Sequence, residues 1–291
     1  MARRPSGRNR RRLATVLAAS RPIVRQVVTP SGWRPSPALD PHVSAFAAYD
    51  FTPGPHGHRG LPSTSLVVVL ALEQPMEISW LDAPGAAAVH LTSASGLHAR
   101  PVLVGGPRRQ CGIWLSLTPA GSRSLLGVPA AALAGQIVDL PTVAPHLAEL
   151  PERLAGAETD LGRLQVTEEV LLKALAKESG GAVRPDVAAA MPGLAGRVTV
   201  EGVARRLGWS RRHLSTAFRN ELGVTPKQYQ RIARFESSKD QLTASPGAGR
   251  PPLAIVAAGS GYADQAHLSR EWTALAGCSP TAWLRAEHSR A

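Results

Sequence analysis

Residues 208–231 read GWSRRHLSTAFRNELGVTPKQYQR, and residues 261–285 read GYADQAHLSREWTALAGCSPTAWLR. If the second copy is allowed one extra residue in its turn, an offset of 54 sets His213-Leu214-Ser215 on His267-Leu268-Ser269. The same offset sets Phe218 on Trp272, Gly223 on Gly277, Pro226 on Pro280, Tyr229 on Trp283 and Arg231 on Arg285. Glycines, aromatics and prolines in common register mean one small structural unit used twice.

Each copy reads as a helix-turn-helix. Val200, Val203, Ala204 and Leu207 form one apolar stripe on a short helix, and Gly208 suits its left-handed end. Ser210 is an N-cap for a second helix over 211–221, whose buried face is Leu214, Phe218 and Leu222 at i, i+4 and i+8. Its other face offers Arg211, Arg212, Ser215, Thr216 and Arg219. Gly223 ends that helix, and Thr225-Pro226 starts another with Thr as cap and Pro in the first turn. The second copy repeats the plan with Gly261, Asp264 as cap, apolar Leu268, Trp272 and Leu275, then Gly277 and Ser279-Pro280. Its outward face offers Gln265, His267, Ser269 and Arg270. A helix pair joined by a glycine turn, with a cationic second helix, suits insertion into a DNA major groove.

These runs, VARRLGWSRRHLSTAFRNELGVTPKQYQ and then GYADQAHLSREWTALAGCSPTAW, resemble the DNA-binding domain of AraC/XylS-type transcriptional regulators over roughly residues 198–285. The resemblance implies two helix-turn-helix units on either side of a long helix, here 226–242, with their recognition helices in successive major-groove segments. It carries DNA contact to Arg211, Arg212, Ser215 and Thr216 in the first unit, and to Gln265, His267, Ser269 and Arg270 in the second. The second unit departs from the pattern. Gly259-Ser260 stands where the first unit has Arg206-Leu207, and Gly in a helix costs about 1 kcal/mol relative to Ala. The connection 244–252 is rich in Pro and Gly, so the second unit reads as the softer of the two.

Charge supports the same placement. The net charge is +12. Residues 1–12 hold six Arg and no acid; residues 197–291 hold 14 Lys/Arg against 7 Asp/Glu; the stretch between is near neutral. A basic C-terminal region on a neutral body is the electrostatic footprint of a phosphate-binding module. The segment MARRPSGRNRRR has no apolar period and reads as a disordered basic arm, not a signal peptide. No apolar run reaches the ~20 residues of a bilayer span. With only Cys111 and Cys278, a disulfide framework is not indicated and the chain reads as cytoplasmic.

Upstream, short β-rich segments at 43–49, 63–72, 77–81, 101–106 and 111–117, separated by Gly/Pro turns, indicate a small barrel or sandwich. Helices follow at 119–126, capped by Thr118, at 130–134 and at 159–177. The fold class is therefore α+β: a mainly-β barrel- or sandwich-like domain with trailing helices, then an all-α domain with two helix-turn-helix units joined by a long helix. The expected organisation is a basic arm at 1–22, a β-rich sensor and dimerisation domain at 23–178, a linker and lead helix at 179–197 with Asp186 as cap, and the double helix-turn-helix domain at 198–291. In AraC-type regulators a sensor of this kind often binds a small ligand and mediates dimerisation. The resemblance thus implies double-stranded promoter DNA as partner and admits RNA polymerase, a small-molecule ligand and a second copy of the chain. No membrane partner is indicated.

Other features have plainer readings. His56-Gly57-His58 lacks zinc-like partners and fits a polar turn. Cys111 opens an apolar strand, Arg108-Arg109 fits a hairpin turn, and Trp33, Trp80 and Trp114 fit core anchors. His213 and His267 share one slot, suited equally to packing or to phosphate contact. Sequence-specific transcriptional regulation thus stands against two alternatives, a non-specific architectural DNA binder and an enzyme fused to a DNA-targeting module, such as an alkyl-acceptor repair protein. An enzyme needs an activated nucleophile or a metal cluster, and G-x-S-x-G, phosphate-loop and G-x-G-x-x-G motifs are all absent. No catalytic residue, cofactor or metal is assigned.

Overall fold

The computed structural model describes residues 27–28, 30, 33–54, 57–106, 109–177, 182–244 and 251–288. The 1–22 arm, His56, Arg108 and most of the 244–252 connection lie outside them.

Among the described residues ten strands form two antiparallel sheets. They are β1 (Val27–Val28), β2 (Val43–Phe51), β3 (His58–Gly60), β4 (Leu66–Ala71), β5 (Met76–Trp80), β6 (Ala83–His90), β7 (Thr92–Ser95), β8 (Val102–Gly105), β9 (Gln110–Leu117) and β10 (Ile137–Asp139). One sheet runs β1-β2-β9-β4-β7-β10 and the other β3-β8-β5-β6. Val69 and Ile137 of the first pack with Met76, Ile78, Val102 and Val104 of the second, so apolar residues of both sheets share one small core. The sheets stay open, which resolves the barrel-or-sandwich alternative in favour of a sandwich-like pair. Strand β9 is buried along its whole length because it is central, with β2 on one side and β4 on the other.

The edge strand β6 and the small-residue strand β7 were not legible. Ala83-Pro-Gly-Ala-Ala-Ala-Val-His90 has little β propensity. It becomes a strand by pairing with β5 through the tight turn that sets Trp80 opposite Ala83.

Helices then cover the first sheet: α1 (Pro119–Leu126), α2 (Ala130–Leu133), α3 (Leu140–Val143), α4 (Leu150–Ala155) and α5 (Asp160–Ala176). Thr118 caps α1, accepting from Gly121 N–H at 3.0 Å, and Thr159 caps α5 in the same way. The helix α6 (Pro185–Ala195) leads into the C-terminal region. Its cap position is Arg184 and not the expected Asp186, which sits two residues further on in the first turn and accepts from Val187 N–H.

The repeat folds as α7 (Val200–Arg206), α8 (Arg211–Leu222), α9 (Pro226–Thr243), α10 (Leu253–Ser260), α11 (Gln265–Ala276) and α12 (Pro280–His288). The pairs α7–α8 and α10–α11 are the two units, and α9 joins them. One continuous core runs from the sheets through α1–α6 into the first unit, reaching Leu214, Phe218 and Tyr229. The second unit has a separate core around Phe235, Val256, Leu268, Trp272, Leu275 and Trp283, to which the β domain contributes Leu61.

Candidate nucleic-acid interface

The recognition helices α8 and α11 are positioned by matching devices. Ser210 Oγ accepts from His213 N–H at 3.1 Å, and Asp264 Oδ1 accepts from His267 N–H at 2.6 Å. Each caps the turn nearest the prospective DNA, and each first helix ends in the same bond: Trp209 N–H to Ala204 O, and Tyr262 N–H to Ala257 O, both 2.9 Å. The registers therefore agree up to Tyr262, which identifies Ala263 as the extra residue of the second turn. Its N–H points to His267 Nδ1 at 3.4 Å.

Burial sorts the two faces. Leu214, Phe218, Leu222, Leu268, Trp272 and Leu275 are each at 0% exposure. On the opposite faces Arg211, Arg212, Thr216, Gln265 and Arg270 are exposed, while Ser215, His267 and Ser269 are half-buried. Both histidines make ring contacts in the turn: His213 stands edge-on to Trp209 at 4.2 Å and His267 edge-on to Tyr262 at 5.3 Å. Each ring braces its turn against its recognition helix.

The connecting helix α9 holds the two units through side chains that the repeat alone did not mark. Thr225 and Gln228 form a reciprocal capping box at its start. Gln230 Nε2 donates to Val198 O at 2.8 Å, fixing the approach to the first unit. Arg231 donates to both carboxylate oxygens of Glu271 on α11, at 2.8 and 3.3 Å. Trp272 Nε1 donates to Ser238 Oγ at 2.8 Å, and Ser238 in turn donates to Phe235 O. Gln241 Nε2 donates to Ser260 Oγ at 2.8 Å, and the backbone of Gly259 leaves no room for a Cβ beside the same Gln241 amide. The Gly259-Ser260 pair, which reads in the sequence as a weakened helix end, is thus the seat for a side chain of α9.

The β domain touches the same machinery. Arg123 Nε donates to Glu221 Oε1 at 2.8 Å, where Glu221 is 3% exposed. Glu236, buried on α9, accepts from Ser63 Oγ at 2.8 Å and from Thr64 Oγ1 at 2.6 Å. Gly223 and Gly277, which end the two recognition helices in the left-handed conformation, press against Ala134 and Leu81 with no space for a side chain. Elsewhere in that domain, Cys111 is buried in β9, and loss of hydration pushes its thiol up to about 11, with Glu73 adding to the effect. The nucleophilic thiolate is scarce at neutral pH. Arg109 is tied to Asp50 at 2.6 Å and to Glu73 at 3.1 Å, and His58 stands edge-on to Phe51. Among the described residues no helix is long and apolar enough to cross a membrane.

Residues 203–286 match the family model described as a helix-turn-helix domain. No curated protein matches the chain. Among solved structures, ToxT from Vibrio cholerae in its P21 crystal form is similar at 10% identity, over 83% of this chain and 98% of that one, with a TM-score of 0.50. The likeness is one of fold: a β-rich domain followed by a helical domain carrying the helix-turn-helix units. Two shorter structures overlap 36% of this chain: the DNA-binding domain of AdpA in complex with a target DNA (28% identity, 91% of that chain, TM-score 0.32) and the C-terminal domain of AraT, a response regulator from Geobacillus stearothermophilus (24%, 88%, 0.33).

Proposed function

We propose that this chain is a transcriptional regulator of AraC type that reads double-stranded promoter DNA in the cytoplasm through α8 and α11, a reading supported by the match of residues 203–286 to a helix-turn-helix domain. The observation that carries this reading is the pairing of exposed faces: Arg211, Arg212 and Thr216 on one helix, Gln265 and Arg270 on the other, each backed by an apolar face at 0% exposure. Arginines and short polar side chains on an exposed helix supply phosphate contacts and base-edge hydrogen bonds together. Ser215, His267 and Ser269 complete the proposed contact set from the rims of the two helices. The domain limits follow: a β-rich sensor over 23–178, a linker and lead helix over 179–197, and the DNA-binding domain over 198–291.

The sensor is proposed to respond to a small ligand. The support is physical continuity. Glu236 and Glu221 sit in the reading domain and are held by Ser63, Thr64 and Arg123 of the sensor. A shift in those sensor residues therefore bears directly on the helices that read DNA.

The test is binding of the full chain to a genomic DNA pool at two salt concentrations, followed by sequencing. A bipartite motif with half-sites about one helical turn apart is the expected outcome. Salt-sensitive binding without an enriched sequence would instead make the chain an architectural binder. The full chain is the proper probe because the core of the first unit is continuous with that of the sensor.

A further inference from the structure

Where the segment before α7, the connecting helix α9 and the second unit meet lies a cavity of about 550 Å³, lined among others by Arg197, Arg234, Tyr262, Ala263 and His267. Its walls come from three places in the chain. Arg197 precedes the first helix of the first unit, Arg234 lies on α9, and the remaining residues belong to the turn and first helical turn of the second unit. No carboxylate lines the cavity. The ion pairs of the reading domain include Arg184–Asp186, Arg231–Glu271 and Lys239–Asp240, with Arg123–Glu221 reaching in from the β-rich domain. None of these pairs involves Arg197 or Arg234. Arg197 is nonetheless held in place, since its Nη2 donates to Ala258 O at the end of α10. The Arg234 Nε lies against Gly261.

Two guanidiniums on one cavity with no carboxylate in its lining make an electropositive site that favours an anion. The planar donor forks of arginine match phosphate oxygens in particular. The cavity also adjoins His267, on the face of α11 proposed to meet DNA, and the connecting helix α9 that supplies Arg234 joins the two units. The geometry points to a seat for one backbone phosphate of the DNA strand that passes between the two half-sites. This inference rests on the DNA-binding reading and deepens it. A phosphate held at the junction carries no sequence information, but it sets the register of one unit relative to the other along the duplex.

The experiment uses the full chain with a selected duplex and a scrambled one, each titrated over a range of salt. Arg197→Gln combined with Arg234→Gln weakens binding to both duplexes alike and flattens the log–log salt slope by about 0.9, the share of one phosphate. Arg234→Lys, which keeps the charge, retains the wild-type slope. A second measurement needs no variant to fold: duplexes carrying a single neutral methylphosphonate are scanned against the wild type. Interference at a position between the half-sites supports the seat, and its disappearance in Arg234→Gln ties that position to the cavity. Unchanged slope and unchanged interference in the variants would overturn the seat while leaving DNA binding intact. A wild type that binds neither duplex would overturn the DNA-binding reading itself. If inorganic pyrophosphate raises the unfolding temperature of the wild type but not of the double variant, and no methylphosphonate interferes, the cavity takes a free small anion and the backbone assignment fails.

Discussion

At Trp272 one side chain ties three elements together. The indole is fully buried, its ring lies 4.7 Å from Phe235 and 5.3 Å from Trp283, and its Nε1–H donates to Ser238 Oγ. Trp272→Ala is expected to destabilise the second unit by about 3–5 kcal/mol, the usual cost of emptying a large aromatic site. Ser238→Ala, which leaves the indole N–H unpaired, is expected to cost about 1–3 kcal/mol. Denaturant titration followed by tryptophan fluorescence reads both, and unchanged midpoints would remove Trp272 from the core. The exposed arginines are expected to divide by what they touch. Arg270→Ala should weaken binding to the selected duplex by about 1–3 kcal/mol and relax preference at one base position, as loss of a base-edge contact does. Arg212→Ala should weaken all sequences alike and flatten the salt slope by about 0.9. If neither variant alters binding in an anisotropy titration, the proposed faces are wrong.

Among elements, the recognition helices were the most legible and the strands the least. Cap, apolar stripe and terminal glycine agree in α8 and again in α11, and such local agreement predicts a helix without help from the rest of the chain. Strands β1, β3, β6, β7 and β10 were missed because their residues are few, small or polar, and pairing with neighbouring strands makes them strands. The ends of α8 and α11 mark where local rules pass into tertiary ones. A left-handed glycine is expected at each end from the sequence, yet the contacts to Ala134 and Leu81 are visible only in the fold. Gly277→Ala therefore meets two penalties: about 1–2 kcal/mol for a left-handed conformation in an L-residue, and displacement of Leu81. The expected result is a melting temperature lowered by more than the conformational penalty alone would give, with Leu81→Ala in the same chain recovering part of the loss. Equal losses with and without Leu81 would show that the contact carries no weight.

For the whole molecule, the separation of the two cores matters most. The first unit shares its core with the β-rich domain, whereas the second has its own and is joined through α9, Leu61 and the Gly277–Leu81 contact. Glu236 lies at this junction, accepting from Ser63 and Thr64 while α9 packs on both units. Glu236→Ala is expected to loosen the sensor from α9. Affinity for a bipartite site then falls, because the units lose their fixed relation, while affinity for a single half-site is unchanged. Comparing the two duplexes on wild type and variant checks this, and an equal change on both would place the effect in folding rather than in alignment. Labelling by a thiol reagent reads the sensor independently: Cys111, whose thiol is pushed up to about 11, is expected to react slowly at neutral pH. Rapid labelling there would reopen the alkyl-acceptor alternative.

The sequence by itself determined the double helix-turn-helix. Its periodicity, caps and glycines act within a dozen residues, and repetition at a fixed offset doubled the signal. It also indicated that a β-rich domain with trailing helices comes first, because apolar runs between Gly/Pro turns have a local signature. Only the tertiary structure decided that the sheets stay open, that Gly259-Ser260 is a docking seat for Gln241, that Glu221 and Glu236 are held by Arg123, Ser63 and Thr64 of the β-rich domain, and that Arg197 and Arg234 share one cavity. Those facts join residues tens to more than a hundred positions apart. No periodicity encodes such a meeting, which depends on how whole surfaces come together when the cores close.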